Sequence, residues 1–202
     1  MLSKLYKYLR FIRRKIFRIE KHEVFVAEAF NVKHQKWLPE EKASIITGDI
    51  EIEDALYQAL IYYSPDNREF IEALRRREVD GLFVHVNEKL VHYAFLIRCN
   101  KTTRLIGFDK KTALIGNMYT AFDYRGKGCQ KRATSALLNF AFNSGVRRVI
   151  AETSYTNDAS QHGLKNGGMH PFGKVELLVL LNFFVIRYRR PSDQVSLVEA
   201  IF

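Results

Sequence analysis

The stretch ALIGNMYTAFDYRGKGCQKRATSALLNFAFNSG, residues 113–145, decides how this chain is organised. Its first part, residues 113–122, is an apolar run typical of a buried strand. The basic turn RGKG follows at residues 125–128, and apolar residues then recur with helical spacing. These apolar positions are Ala133, Leu137, Leu138, Phe140 and Ala141. The pattern therefore predicts a strand, a glycine-containing loop and a helix that begins directly after the loop.

The loop at residues 125–128 is suited to binding an anion. The first turn of a helix leaves backbone N–H groups without partners and carries the positive end of the helix dipole. Gly126 and Gly128 allow positive φ angles and a close approach to the backbone, and Arg125 and Lys127 add positive charge. We therefore expect a pyrophosphate here. The alternative is an ordinary strand-to-helix connection whose basic residues are solvated.

Two common nucleotide-binding fingerprints are absent from the sequence. It has no G-x-x-x-x-G-K-[ST], and the loop lacks the G-x-G-x-x-G triple with an acidic residue about 20 positions later. The segment FDYRGKGCQ, residues 122–130, instead resembles the GNAT superfamily of acyl-CoA-dependent acyltransferases, whose central motif is Gln/Arg-x-x-Gly-x-Gly/Ala. Arg125 and Gly128 match this motif, whereas Gln130 stands where the family has a small residue.

A second block of the family lies downstream, where Asn157, Ser160 and Gly168-Met169 match N-x-x-[AS]…G-F. The resemblance covers residues 22–190 and implies an α/β (α+β) fold. This GNAT-like fold has a mixed, mostly antiparallel sheet of six to seven strands, with a central splayed parallel pair and flanking helices. Because the helix at residues 126–143 connects two strands, we expect those strands to be parallel neighbours in a right-handed unit.

The elements predicted by periodicity and turn residues follow the same order. They are a strand at 22–30, an irregular connection at 31–49, two helices within 50–78, a hairpin at 81–99 turning at Asn87-Glu88, the strand and helix of the opening stretch, a strand at 147–153, a short helix at 157–167 and two strands within 170–189. Residues 191–202 are predicted to be a tail.

The resemblance implies an acyl-CoA as cofactor, acetyl-CoA in the first place, and no metal. It places the pyrophosphate against the glycine loop and the pantetheine arm between the splayed strands. The residues that it assigns to the cofactor are Tyr119, Thr120, Arg125, Gly126, Lys127, Gly128, Cys129, Gln130, Asn157 and Ser160. Asn157 has an alternative role as the N-cap of the following helix.

Direct transfer of an acyl group to an amine needs a group that accepts the amine proton and one that protonates the departing thiolate. For the base we choose Glu152, because a carboxylate in an otherwise apolar strand is costly to bury without a purpose or a partner. Its alternative is a salt-bridged structural glutamate. Many family members carry the acid as a tyrosine seven residues after the Asn, but Leu164 stands there. The remaining candidates for the acid are Tyr155, His162 and Tyr119.

Other titratable residues are assigned ordinary roles. His85 and His92, in the predicted hairpin, are expected to be half-buried structural residues, and Asp123 aligns with a solvent-facing position. Cys129 lies at a helix N-terminus, which favours a lowered thiol pKa. Cys99 and Cys129 form no metal-binding or disulfide pattern, so a reducing cytoplasm is expected.

Residues 1–21 differ in composition from the remainder. They hold eight Lys or Arg and one acid, in a chain of 202 residues with a net charge of +10. Leu and Ile recur from Leu2 to Ile19 at alternating spacings of three and four, which predicts a basic amphipathic helix over residues 1–21. No 7–15-residue apolar core or small-residue cleavage site of a signal peptide follows these residues, and no apolar run reaches the length of a membrane span. The helix is expected to lie on an anionic membrane or to pack on protein, including a second copy in a homodimer, rather than on nucleic acid.

The sequence therefore predicts an acyl-CoA-dependent N-acyltransferase, N-acetyl in the first place, that acts on the amine of a small acceptor. The basic arm points to an amino sugar of surface polysaccharide synthesis and to a cytoplasmic enzyme, peripheral on the inner face of the membrane. Two alternatives stay open. One is a protein or peptide N-acetyltransferase, and the other is an inactive GNAT-like module that binds acyl-CoA or docks on a membrane or partner, which Gln130 and Leu164 favour.

Overall fold

The computed structural model describes residues 17–29, 35–48, 52–98, 111–180, 184–189 and 200–201. Over these ranges the chain forms nine strands and four α-helices, numbered here in chain order. They are β1 (Phe17–Glu28), β2 (Glu41–Ile46), α1 (Asp54–Tyr63), α2 (Asn67–Arg75), β3 (Val79–Val86), β4 (Lys89–Arg98), β5 (Thr112–Thr120), α3 (Cys129–Asn143), β6 (Arg148–Ser154), α4 (Asp158–Asn166), β7 (His170–Leu180), β8 (Phe184–Arg189) and β9 (Ala200–Ile201). A short 3-10 turn, Phe122–Tyr124, precedes the glycine loop.

The described strands join one sheet in the order β2-β3-β4-β5-β6-β1-β7-β8-β9. Their pairings are antiparallel, except that β5 and β6 run parallel with α3 as the connection between them. The expected mixed, mostly antiparallel fold with one central parallel pair is therefore confirmed. The short strands β2 and β9 are additional to the predicted strands.

The two parallel strands separate partway along their length. Their register runs from Thr112 opposite Arg148 to Ile115 opposite Ala151, and no described pairing between them lies beyond this point. β5 continues along β4 as far as Thr120, and β6 continues along β1. The facing edges of β5 and β6 thus diverge, which confirms the splay that the resemblance implies.

A bulge in β5 lies where this divergence begins. Against β4, the strand carries one extra residue between Gly116 and Tyr119. Within this interval Asn117 has a φ angle of 45°, which is uncommon for a residue other than glycine. The side-chain Nδ2 atom of Asn117 donates to the Oδ1 atom of Asn67 at 2.7 Å. Asn67 of α2, which is fully buried, therefore stabilises the bulge.

The helices cover the two faces of the sheet because each presents an apolar stripe to it. Leu137 of α3 and Leu164 of α4 belong to the core on one face. Leu60 of α1 and Ile71 of α2 belong to the core on the other. No described helix combines the length and apolar character that a membrane span requires.

The predicted amphipathic helix over residues 1–21 is wrong for its last five residues. Phe17–Glu28 is a strand, and residues 1–16 lie outside the described part of the chain. β1 pairs with β7 from Phe17 onward and with β6 from His22 onward, so it lies inside the sheet. Backbone pairing with neighbouring strands thus outweighs the spacing of apolar residues by three and four positions, which favours a helix. The predicted tail also contributes to the sheet, since β9 pairs with β8.

Candidate functional site

The loop between the 3-10 turn and α3 has the backbone that the glycine pattern predicts. Gly126 and Gly128 both have φ angles of 75°, in the left-handed region that favours glycine. Gly128 is the N-cap residue of α3, and among the described residues no side chain caps this end of the helix. A Cβ atom built on Gly126 would meet nothing within 4 Å. The first amides of a 15-residue helix therefore remain accessible to an anion.

A cleft of about 540 Å³ opens beside this loop. It runs between the end of β5, the N-terminus of α3 and the helix α4. Nine of the ten residues predicted to bind the cofactor line it, and they are Tyr119, Thr120, Arg125, Gly126, Gly128, Cys129, Gln130, Asn157 and Ser160. Lys127 is not among the lining residues, since its Nζ atom lies over the ring of Tyr124, 4.7 Å from the centroid.

Arg125 lines the cleft, but its guanidinium is turned toward the end of β5. The Nε atom donates to the carbonyl oxygen of Thr120 at 3.2 Å. The guanidinium carbon lies 5.7 Å from the ring centroid of Tyr119 and 5.6 Å from that of Phe122. Arg125 therefore stands at the border between the glycine loop and an aromatic surface.

Asn157 is the N-cap residue of α4. Its Oδ1 atom accepts a hydrogen bond from the backbone N–H of Ser160 at 3.1 Å. The alternative role as a helix cap is therefore confirmed. Because the cap uses Oδ1, the side-chain NH₂ group can still donate to a ligand in the cleft that Asn157 lines.

Gln130, which departs from the family motif, spans the gap between α3 and α4. Its Nε2 atom donates to the Oγ atom of Ser160 at 3.1 Å and to the carbonyl oxygen of Ser160 at 3.3 Å. A Cβ atom on Gly163 would lie 2.5 Å from the Cδ atom of Gln130. The larger residue at position 130 is therefore accommodated by a glycine on the facing helix.

A buried ion pair lies beneath the N-terminus of α3. Arg132 donates to the Glu41 carboxylate through Nε at 2.7 Å and through a second nitrogen, and the Leu38 amide adds a third bond at 2.9 Å. Burial alone would raise the pKa of Glu41, but these hydrogen bonds and that of Cys129 hold it below its ordinary value. The carboxylate of Glu41 thus stabilises the buried positive charge of Arg132.

The expectation of a lowered thiol pKa at Cys129 is wrong. The thiol is buried and donates to the Oε1 atom of Glu41 at 3.1 Å. Burial and this carboxylate raise the pKa of Cys129 to about 12. The helix dipole favours a thiolate, but desolvation and a neighbouring negative charge outweigh it.

His92 was expected to be half-buried, but it is only 1% exposed. It lines the cleft. Its Nδ1 atom lies 2.8 Å from the Oγ1 atom of Thr120. Burial lowers the pKa of His92 to about 3, so the ring is neutral. Within the described residues its Nε2 atom is buried without a hydrogen-bond partner. The sequence alone does not predict this position of His92 in the cleft, because the register of β4 and β5 brings His92 to Thr120.

Glu152 occupies the position on β6 directly after the last parallel pair, Ile115 and Ala151. Its Oε2 atom is buried without a hydrogen-bond partner among the described residues. Burial raises the pKa of Glu152, with His22 opposing and Glu20 adding to the effect.

The face on which Glu152 lies follows from alternation along β6. Ile150, two residues earlier, belongs to a small cluster against which Ile97 packs, and Ile97 also packs against the core of α1 and α2. Glu152 thus shares the face of α1 and α2. Tyr119 packs against the same core while also lining the cleft.

The candidates for the acid lie in different places. His162 lines the cleft, with its Nδ1 atom 3.2 Å from the carbonyl oxygen of Asp158. Tyr119 also lines the cleft, at the splay. Tyr155 is outside the lining residues, and its ring lies under the Nζ atom of Lys174 at 5.0 Å. Leu164, at the usual acid position, is fully buried in the core.

These residues fit an acyl-CoA. Uncapped amides and left-handed glycines suit a pyrophosphate, and the divergence of β5 from β6 leaves main-chain groups beside the cleft that suit the amides of a pantetheine arm. Glu152 is not among the residues that line the cleft; it lies on β6 directly after the last parallel pair, on the face of the sheet opposite α3 and α4.

Comparisons with known proteins agree with this geometry. Among solved structures, the fold is similar to a GCN5-related N-acetyltransferase from Kribbella flavida, at 11% identity and a TM-score of 0.58, over 84% of this chain and 62% of that one. It is similar to a GCN5-related N-acetyltransferase from Sphaerobacter thermophilus at 14% identity and a TM-score of 0.56, over 85% of this chain and 54% of that one. A Drosophila protein matches at 16% identity and a TM-score of 0.59, over 94% of this chain and 58% of that one.

The chain thus spans less than two thirds of the length of these structures, and at such identities the likeness concerns the fold. No curated protein matches the sequence significantly. Residues 49–167, more than half of the chain, match the family model described as the acetyltransferase (GNAT) family. The chain therefore belongs to the acetyltransferase (GNAT) family.

Proposed function

We propose that this protein transfers an acyl group, acetyl in the first place, from an acyl-CoA to the amine of a small acceptor. One observation carries the proposal. The uncapped N-terminus of α3, entered through two glycines with φ angles of 75°, opens into a cleft that reaches the splay of the parallel strands. An anion held at the loop would direct a covalently attached chain into that splay.

We assign each residue of the site a role in binding or in proton transfer. The amides at the start of α3 hold the pyrophosphate, and Asn157 and the end of β5 orient the pantetheine arm. When bound, acyl-CoA supplies an activated thioester. Glu152 accepts the proton of the acceptor amine, and His162 and Tyr119 are the lining residues that can return a proton to the thiolate. A free thiol has a pKa of about 8.5, so the thiolate can also leave without an acid.

For the acceptor we propose an amino sugar of surface polysaccharide synthesis. Its support is the basic composition of residues 1–16, which hold six Lys or Arg and no acid and so suit an enzyme that works at an anionic membrane surface in the cytoplasm. A protein or peptide amine is the alternative acceptor. The fold itself does not select among these amines.

An inactive acyl-CoA-binding module is the second candidate function. Two observations favour it, namely the side chain of Gln130 within the cleft and the buried Leu164 at the usual acid position. Release of free CoA thiol with any member of an amine panel would exclude this candidate.

Thermal unfolding with and without acetyl-CoA tests the cofactor site. A ligand at 100 times its Kd should add about 2.7 kcal/mol to the free energy of unfolding. Gly126→Val should abolish this stabilisation, because a branched side chain strains the loop and fills the space in front of the amides. Gly145→Val is the matched control, since Gly145 also has a positive φ and open surroundings but lies outside the cleft lining. No stabilisation of the unsubstituted protein by any acyl-CoA would overturn the proposal.

A further inference from the structure

Four tyrosines whose rings contact one another lie at the end of β5, and we call Tyr62, Tyr63, Tyr93 and Tyr119 the tyrosine wall; Tyr93, at 1% exposure, is its buried base. The ring centroids of Tyr62 and Tyr63 are 5.6 Å apart in an edge-to-face arrangement. Those of Tyr63 and Tyr119 are 4.7 Å apart, and those of Tyr93 and Tyr119 are 5.8 Å apart. Such spacings are those of rings in direct contact.

The inner part of the wall is fixed from behind. The hydroxyl of Tyr63 donates to the carbonyl oxygen of Leu90 at 2.7 Å. Asn67, which is fully buried, donates to the hydroxyl oxygen of Tyr93 at 2.9 Å and to the carbonyl oxygen of Leu60 at 2.7 Å. A ligand at the wall would therefore meet a rigid surface and lose little free energy in ordering it.

The outer part of the wall is exposed to an unusual degree. Tyr62 is 86% exposed and Phe122 is 77% exposed, whereas every other exposed large apolar residue in the described part of the chain is at 49% or less. Tyr62 contacts Tyr63 of the wall, and Phe122 is linked to Tyr119 through the guanidinium of Arg125, which contacts both rings. Exposed aromatic rings linked in this way to Tyr119, which lines the cleft, are typical of ligand contact.

The wall stands where an acceptor must approach. Tyr119 lines the cleft at the end of β5, and it shares a face of the sheet with Glu152, which lies across the splay on β6. Asp123 lies near enough to Tyr63 to influence its hydroxyl. The carboxylate of Asp123 near the wall suits an acceptor that arrives as a cation.

We propose that the tyrosine wall, together with Phe122, is the acceptor subsite, and that it selects amines carried on a ring that stacks on aromatic side chains. This inference rests on the proposed function, because it places the amine of the acceptor toward Glu152 and its ring against Tyr62 and Phe122. Aromatic rings and sugar rings share this stacking chemistry, whereas an acyclic amine of the same charge lacks it.

Binding of two fluorinated amines, followed by ¹⁹F NMR in the presence of CoA, tests the subsite without requiring turnover. We expect 4-fluorophenethylamine to bind more tightly than 6-fluorohexylamine by about threefold to tenfold. Tyr62→Ala and Phe122→Ala should each remove most of this difference while leaving the hexyl compound unchanged. Phe172→Ala is the matched control, because Phe172 is an exposed aromatic residue outside the cleft and the wall. Displacement of the aromatic probe by 2-amino-2-deoxyglucose would identify a sugar ring as an occupant.

Equal binding of the two amines, or an unchanged preference in Tyr62→Ala and Phe122→Ala, would overturn the inference. Its failure is distinguishable from failure of the proposed function. Turnover of acyclic amines with acetyl-CoA, without any ring preference, would keep the acyltransferase and remove the subsite. Ring-selective binding that depends on Tyr62, with no CoA release, would keep the subsite and remove the reaction.

Discussion

The side-chain nitrogen of Gln130 lies 3.1 Å from the Oγ atom and 3.3 Å from the carbonyl oxygen of Ser160, so it joins the first turn of α3 to the first turn of α4. Both residues line the cleft. The family has a small residue at position 130, and here the space for a glutamine comes from Gly163, one turn further along α4. Positions 130 and 163 therefore have to be considered as one packed pair.

We predict that Gly163→Ala displaces the side chain of Gln130, because its Cβ atom would overlap it, and that the loss of the hydrogen bonds to Ser160 destabilises the protein by about 1 kcal/mol. In a Gln130→Ala background the same change should be neutral or stabilising by roughly 0.5–1 kcal/mol, since alanine is the better helix former. Urea unfolding of the four proteins of this cycle measures the coupling. Additive effects of the two substitutions would show that the pair is not coupled.

The second prediction concerns His92 and acid stability. Burial lowers its pKa from 6.5 to about 3, so the folded state keeps the ring neutral while the unfolded state protonates it. Below pH 6.5 the unfolded state therefore binds more protons, and the free energy of unfolding falls as the pH falls toward 3.

Between pH 6.5 and pH 4.5, protonation of this one group in the unfolded state should lower the free energy of unfolding by about 2 kcal/mol. His92→Gln should lack that part of the decline. Urea unfolding at the two pH values measures it. His170→Gln is the control, because it removes an exposed histidine from the same protein. A decline in His92→Gln as steep as in the unsubstituted protein would contradict the prediction.

Local patterns predicted those parts of the fold that depend on local conformation. Gly126 and Gly128 were expected to adopt positive φ angles and do so, and Asn87 and Glu88 form the expected turn with φ angles of 48° and 64°. Asn157 was weighed as a helix cap and is one. In each case the residue type carries its own backbone or hydrogen-bonding preference.

What could not be predicted depends on contacts between distant parts of the chain. Glu41 lies in a connection expected to be irregular, yet it begins β2 and meets Arg132 at a separation of 91 residues. Burial and the neighbouring Glu41 carboxylate, and not the helix dipole, determine the pKa of Cys129. Ile19 fits a helical stripe, but pairing with Leu178 of β7 makes it part of a strand.

The third prediction concerns the ion pair of Glu41 and Arg132, whose side chains are 3% and 10% exposed. Glu41→Gln should lower the free energy of unfolding by about 3–5 kcal/mol, because the charge of Arg132 would remain buried without its partner. The double substitution Glu41→Leu with Arg132→Met should recover most of this loss, since it removes both charges. Chemical unfolding measures both effects. Equal instability of the single and double variants would show that packing, and not charge, dominates at this site.

The last prediction concerns Glu152 and the pH dependence of the rate. A base must be ionised to accept the amine proton, and burial raises the pKa of this carboxyl above its ordinary value. The value of kcat/KM for acyl transfer should therefore rise with pH through that raised pKa and level off above it. Glu152→Gln should lower kcat/KM by about 10²- to 10⁴-fold and remove this rise, while acetyl-CoA still stabilises the variant against heat. If Glu152→Gln kept the rising limb and lost only stability, the carboxylate would be a structural group, and the proton would have to leave through His162 or water.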